Sequence, residues 1–157
     1  MKTTITLLLT LLSFTVMAKQ KRIHTQIIIN ASPTQVWEVL TDFDQYDSWN
    51  PFIDYIKGDI AVGNTIMIKL DGMKFKPTVL AYNTNTEFRW IGTLGFKGLF
   101  DGEHKFELID NGDGTTTFIQ SEKFNGILVG LFSKKLDTDT LEQFQSMNEA
   151  LKARVQA

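Results

Sequence analysis

The chain predicts an α+β domain in which an antiparallel meander of strands is closed by one long C-terminal helix. Three observations carry this. From about residue 52 to 125 apolar and polar side chains alternate, with turn signals at short intervals. From about residue 129 to 155 the apolar spacing changes to mostly three and four. The 157 residues are 43% apolar and 22% charged, the proportions of a single ordinary globular domain.

Residues 1–18, MKTTITLLLTLLSFTVMA, have a basic start at Lys2, an apolar run from Ile5 to Met17 and Val16-x-Ala18. This is the layout of a secretory signal peptide cleaved after Ala18, which would leave a domain of residues 19–157 in the periplasm or outside the cell. The run is short for a bilayer about 30 Å thick, so no stable span is expected after processing. Lys19, Lys21 and Arg22 oppose translocation, and an uncleaved membrane anchor is the alternative. Removing residues 1–18 takes away one Lys and no acid, moving the net charge from −2 to −3.

Ile23 to Asn30 is a β-branched run and reads as the first strand. Ser32-Pro33-Thr34-Gln35 then supplies an N-cap, a proline at the first helical position and a capping-box Gln. Val36, Trp37, Val39 and Leu40 form the apolar stripe of a short helix ending near Thr41. Asp44 is placed to cap a second short helix, which Asn50-Pro51 ends. Asp71-Gly72 predicts a two-residue hairpin between Ile66–Leu70 and a strand running from Met73 to Tyr82. Further turns are expected at Asn83–Thr86, Gly95–Gly98 and Asn111–Gly114. The final helix has an apolar face of Leu128, Leu131, Phe132, Leu136, Leu141, Phe144, Met147, Leu151 and Val155.

Composition excludes several chemistries. With no Cys there is no disulfide, thiolate metal site or cysteine nucleophile. Two His, His24 and His104, are too few for a multi-histidine metal centre. Sixteen basic against eighteen acidic residues give no global field for nucleic acid. Nucleotide-loop, hydrolase-elbow, zinc-helix and EF-hand patterns are absent from the sequence, so neither a metal nor a cofactor is expected. What stands out is 12 Phe and 3 Trp against 3 Tyr.

Several segments resemble the START-like helix-grip superfamily, the SRPBCC group of polyketide cyclase/dehydrase-like and lipid-transport-like proteins. They are Ile27-Ile28-Ile29-Asn30-Ala31-Ser32-Pro33 leading to Val36-Trp37; Tyr46, Trp49, Asn50 and Pro51; Phe88-x-Trp90; Gly102-x-His104-x-Phe106-x-Leu108; Gly114-Thr115-Thr116; and Gln120-x-Glu122-x-Phe124-x-Gly126. The resemblance covers about residues 23–155. It implies a seven-stranded antiparallel sheet wrapped around the long C-terminal helix, with two short helices after the first strand. It also implies an apolar ligand held between sheet and helix.

Strand parity can be asked the same question. Successive side chains point to opposite faces, so Phe100, Gly102, His104, Phe106 and Leu108 share the inner face. Phe118, Gln120, Glu122 and Phe124 form the inner set of the next strand, and Phe88, Trp90, Gly92 and Leu94 that of the preceding one. If the turn at 111–114 pairs Asp110 with Thr116, His104 faces Glu122, Phe106 faces Gln120, and Trp90 lies beside His104. The Asp71-Gly72 hairpin puts Ile66, Ile68, Leu70, Met73, Phe75 and Val79 on the same concave face. The expected ligand-binding set is Trp49, Ile68, Phe75, Phe88, Trp90, His104, Phe106, Phe118, Gln120, Glu122, Phe132 and Phe144. Trp49 is included because the two short helices close one end of a helix-grip cavity, although a plain core role fits it too. Gly126 to Phe132 is a candidate hinge for ligand entrance, and Arg89 has the parity of the outer face.

An apolar concave surface with a few convergent polar groups is the usual form of a small-molecule site. The first reading is therefore a binding or transport protein for a lipid, isoprenoid or aromatic metabolite, expected to be monomeric. A second is a cyclase- or dehydratase-like enzyme using His104 and Glu122 as an acid–base pair. A third is a protein-interaction module with a collapsed pocket, in which the polar trio only fills the core.

Overall fold

The computed structural model describes residues 18–157, and the expected signal peptide lies almost wholly outside them. Strand β1 (Lys19–Ile29) leads into helix α1 (Pro33–Thr41), a 3₁₀ turn (Phe43–Gln45) and helix α2 (Tyr46–Trp49). Strands β2 (Ile53–Lys57), β3 (Met67–Leu70), β4 (Met73–Phe75), β5 (Thr78–Asn83), β6 (Glu87–Leu94), β7 (Phe100–Asp110) and β8 (Thr116–Gly126) follow. The chain closes with α3 (Val129–Lys135), a π turn (Leu136–Thr140) and α4 (Leu141–Val155).

Local chemistry accounts for the elements. Ser32 caps α1 in a full capping box: its side chain accepts from the Gln35 amide, and the Gln35 side chain accepts from the Ser32 amide. Asp44 does not cap α2 with its side chain; the 3₁₀ turn runs straight into it. The end of α2 is fixed instead by Asn50, whose Oδ1 accepts from the amides of Phe52 and Ile53. Asp71 (φ 48°) and Gly72 (φ 78°) both adopt positive φ, the geometry of a type I′ hairpin turn.

The sheet departs from the seven strands expected. It forms a five-stranded antiparallel sheet in the order β1-β8-β7-β6-β5 and a three-stranded sheet in the order β2-β3-β4. The cause is Pro77. The stretch Met73–Tyr82 was expected as one strand, but a proline has no N–H for the ladder, and pairing lapses at Lys76-Pro77 between β4 and β5. The two sheets stay joined at this seam by Ile66 N–H to Pro77 O (3.0 Å) and Val79 N–H to Asn64 O (2.9 Å).

Helices α3 and α4 with the π turn run without a break from 129 to 155, about 40 Å at 1.5 Å per residue. Phe144, Met147 and Leu151 of α4 are buried against the inner face of the larger sheet with Phe88, Phe106 and Phe118. Each fully buried aromatic of this kind contributes about 1.5–3 kcal/mol relative to exposure. Among the described residues no helix is long and apolar enough to cross a membrane.

Candidate ligand-binding site

The register at the centre of the sheet places the site. Strands β7 and β8 pair His104 with Glu122, Phe106 with Gln120 and Leu108 with Phe118, while β6 and β7 pair Trp90 with His104 and Gly92 with Gly102. The inner face of these three strands divides along its length. Toward Phe88, Phe106 and Phe118 it is solid core beneath α4. Toward Gly92, Gly102 and Phe124 it opens into a cavity of about 230 Å³.

Two glycines make the difference. Gly92 and Gly102 are cross-strand partners on the inner face, where larger side chains would fill the space. A Cβ on Gly102 would lie 2.5 Å from Glu122 Oε1, so the glycine also admits the carboxylate. The cavity wall is completed by Ile68, Leu70 and Phe75 of the small sheet and by Leu136, Thr140 and Phe144 of the C-terminal helix. Phe75 and Leu94, both partly exposed, stand at its mouth.

At the inner end lies a hydrogen-bonded polar group. His104 Nδ1 is 3.2 Å from Glu122 Oε2, and His104 Nε2 is 3.4 Å from Gln120 Nε2. The Gln120 amide spends one proton on His104 and the other on Met147 Sδ at 3.6 Å. In this orientation Nε2 of His104 is the acceptor, so the imidazole proton is assigned to Nδ1 and donated to Glu122. The ring is held on three sides: Trp90 stacks on it at 4.5 Å and 12°, and Phe106 and Phe144 meet it edge-on. His104 is therefore fixed and almost wholly buried, while the Glu122 side chain keeps 19% of its surface exposed. The arrangement presents one carboxylate to a mostly apolar chamber, with the imidazole positioned behind it.

Of the residues expected to bind ligand, Ile68, Phe75, Trp90, His104, Glu122 and Phe144 line the cavity. Phe88, Phe106, Phe118 and Gln120 are fully buried in the core beside it; Phe106 and Gln120 reach the site only by backing His104. Phe132 packs edge-on against Phe100 at 5.7 Å, outside the wall. Trp49 does not line the cavity. It packs edge-on with Tyr46 and borders a shallow surface depression with Glu38 and Arg154. Met73, placed on the concave face by parity, is exposed. Arg89 lies on the outer face and pairs with Glu87 and Glu103.

The expected set omits Phe52 and Ile53 at the start of β2, the glycine pair, and Leu136, Thr140 and Gln143. Leu136 and Thr140 are the first and last residues of the π turn, and Gln143 follows it. The turn's sequence signal is the five-residue step between Leu136 and Leu141 in an apolar pattern otherwise spaced mostly by three and four. Such an extra residue in a helix is often placed at a functional site.

A family described as polyketide cyclase / dehydrase and lipid transport matches residues 20–156. The chain belongs to this family. Solved structures of similar fold include a START superfamily protein from Mycobacterium smegmatis, with TM-score 0.64, 21% identity, and coverage of 86% of this chain and 97% of that one. The Zhui aromatase/cyclase from a Streptomyces species aligns with TM-score 0.70 at 11% identity over 88% of this chain and 94% of its own. Norcoclaurine synthase from Thalictrum flavum, solved in complex with dopamine and hydroxybenzaldehyde, aligns with TM-score 0.67 at 15% identity over 98% and 96% of the two chains. At these identities the likeness to solved structures concerns the fold. No curated protein matches the chain. In this polyketide cyclase / dehydrase and lipid transport family member, the space between sheet and helix is the cavity just described.

Proposed function

We propose that this protein binds a small apolar or amphipathic molecule in the cavity between the five-stranded sheet and the C-terminal helix. The observation that carries the reading is a built apolar chamber whose inner end holds one oriented carboxylate. Its size narrows the ligand class. A dry cavity of about 150 Å³ accommodates benzene, so about 230 Å³ suits one to two rings or a short isoprenoid unit. A longer lipid chain would extend through the mouth past Phe75 and Leu94. Because Glu122 can only accept hydrogen bonds when ionised, the inner end of the ligand carries a donor, a hydroxyl or an amine. Export through residues 1–18 would place this binding outside the cytoplasm.

Two substitutions separate the chamber from the carboxylate. Gly92→Leu fills the space, since a Cβ there meets only Pro77 Cβ at 3.9 Å, and should abolish ligand occupancy while the thermal midpoint holds. Glu122→Gln keeps the shape and removes the charge. Loss of a hydrogen bond to a charged group, about 1.5–3 kcal/mol, corresponds to roughly ten- to hundredfold weaker binding. His104→Ala should weaken binding similarly by releasing Glu122. Unchanged occupancy in all three would refute the proposal.

The His104–Glu122 contact also favours a second reading, acid–base catalysis on the bound molecule, for which Glu122 is the group that meets substrate and His104 positions it. Turnover of an enolisable aromatic substrate, lost in Glu122→Gln with KM little changed, would distinguish an enzyme from a carrier.

A further inference from the structure

Six of the ten exposed large apolar side chains among the described residues lie on three projections, and two of the six, Phe75 and Leu94, border the cavity mouth. The β3–β4 hairpin offers Met73 and Phe75, the end of β6 and the loop after it Leu94 and Phe96, and α3 Leu131 and Phe132. Phe96 and Leu131 are 63% and 76% exposed. The projections adjoin one another: Phe75 and Leu94 line the same opening, Phe132 packs on Phe100, and the amides of Ile127 and Leu128 bond to the carbonyls of Gly98 and Leu99.

Each projection carries lysine next to its apolar residues: Lys74 and Lys76 on the hairpin, Lys97 in the loop, Lys134 and Lys135 on α3, all exposed. None of the five forms an ion pair among the described residues. Besides Glu122, five acids share this end, Asp71, Asp101, Asp137, Asp139 and Glu142; Asp101 is buried and accepts from the Gly98 amide, and Glu142 is exposed. Asp137 is held by Lys21 at 2.5 Å, Asp71 accepts from Gln143 at 2.6 Å, and Asp139 accepts from Thr138. The chain also begins its first strand here, where Lys19 pairs with Gly126 and its side chain lies against Gly130.

We propose that this end docks on an anionic membrane surface, with the six apolar side chains entering the interface and the five ammonium groups meeting lipid phosphates. Apolar residues interleaved with lysine are the pattern of interfacial binding, in which burial and attraction to anionic headgroups add together. Charge argues against a second copy as the occupant, because two such faces would oppose lysine to lysine. The docked pose turns the cavity mouth toward the bilayer, so an apolar ligand could pass between the two without crossing water.

The absence of Cys allows a direct test on the full chain, because a single Cys takes an environment-sensitive fluorophore at one chosen site. Phe96→Cys and Leu131→Cys, labelled and mixed with phosphatidylglycerol vesicles, should show a blue shift. Ile109→Cys, exposed at the opposite end of β7 from Phe100, should show none. Adding Lys134→Gln and Lys135→Gln should weaken the apparent affinity about twenty-five-fold, at about a factor of five per lysine. Absence of a shift at 96 and 131, or an equal shift with uncharged phosphatidylcholine vesicles, would overturn the proposal. So would a concentration-dependent shift without vesicles, which would show a second copy on this face. Ligand occupancy measured on the same labelled protein reports the cavity separately.

Discussion

At the scale of single residues, burial decides what a polar side chain can do. Tyr46 is fully buried and donates its hydroxyl to Leu40 O at 2.6 Å. Burial, with a smaller contribution from Tyr82, pushes its ionisation far above the ordinary value of 10.0. A group whose folded value is raised contributes stability that is complete below the unfolded value and is lost as the pH climbs past it. Stability should therefore fall from about pH 10 upward, measured by urea midpoints across an alkaline series. Tyr46→Phe should flatten that slope and cost about 1–2 kcal/mol at neutral pH, because Leu40 O loses its donor in the interior. The polar trio of Gln120, His104 and Glu122 was legible at this scale. The turn at 111–114 fixes the register, and register fixes which side chains meet. What parity cannot give is depth. Phe88 and Trp90 share a face, yet one lies in solid core and the other lines the cavity, because only the second is followed on that face by a glycine opposite another glycine.

At the scale of elements, two irregularities shape the site, and both were written in the sequence without being read as such. Pro77 ends one sheet and starts the other, which lets β3 and β4 turn in to form a wall of the cavity. The alternation of Met73–Tyr82 concealed this, since parity continues across a break in pairing. The π turn is the second case. An i→i+5 step inserts one residue relative to a regular helix, and Leu136 and Thr140 within it face the cavity. Deleting Thr138 should turn the five-residue step between Leu136 and Leu141 into a regular four-residue one, which keeps Leu136 on the same face but draws in the widened turn that carries Thr140 into this wall. The measured outcome should be retained helicity by circular dichroism with ligand affinity reduced at least about tenfold. Unchanged affinity would mean that the π turn has no part in the site. The core elements behave differently. Phe118→Ala, in solid core, should cost about 3–5 kcal/mol in denaturant unfolding, since Phe118 is fully buried.

At the scale of the whole molecule, family membership and fold agree with the first expectation of a sheet closed by a long helix, with the sheet corrected to five strands and three. The excess of Phe has a physical explanation in two parts. Some rings make the rigid floor, as Phe88, Phe106 and Phe118 do; others, such as Phe75, Phe100, Phe124 and Phe144, wall the chamber. The central claim is that the space left by Gly92 and Gly102 holds a small molecule with a donor group at Glu122. Mass spectrometry of an organic extract from natively purified protein, compared with the same extract from Gly92→Leu, tests it most directly. One small apolar molecule bearing a hydroxyl or amine is expected, near one per chain in the natural protein and absent from the variant. Equal amounts in both, or no small molecule in either, would contradict it.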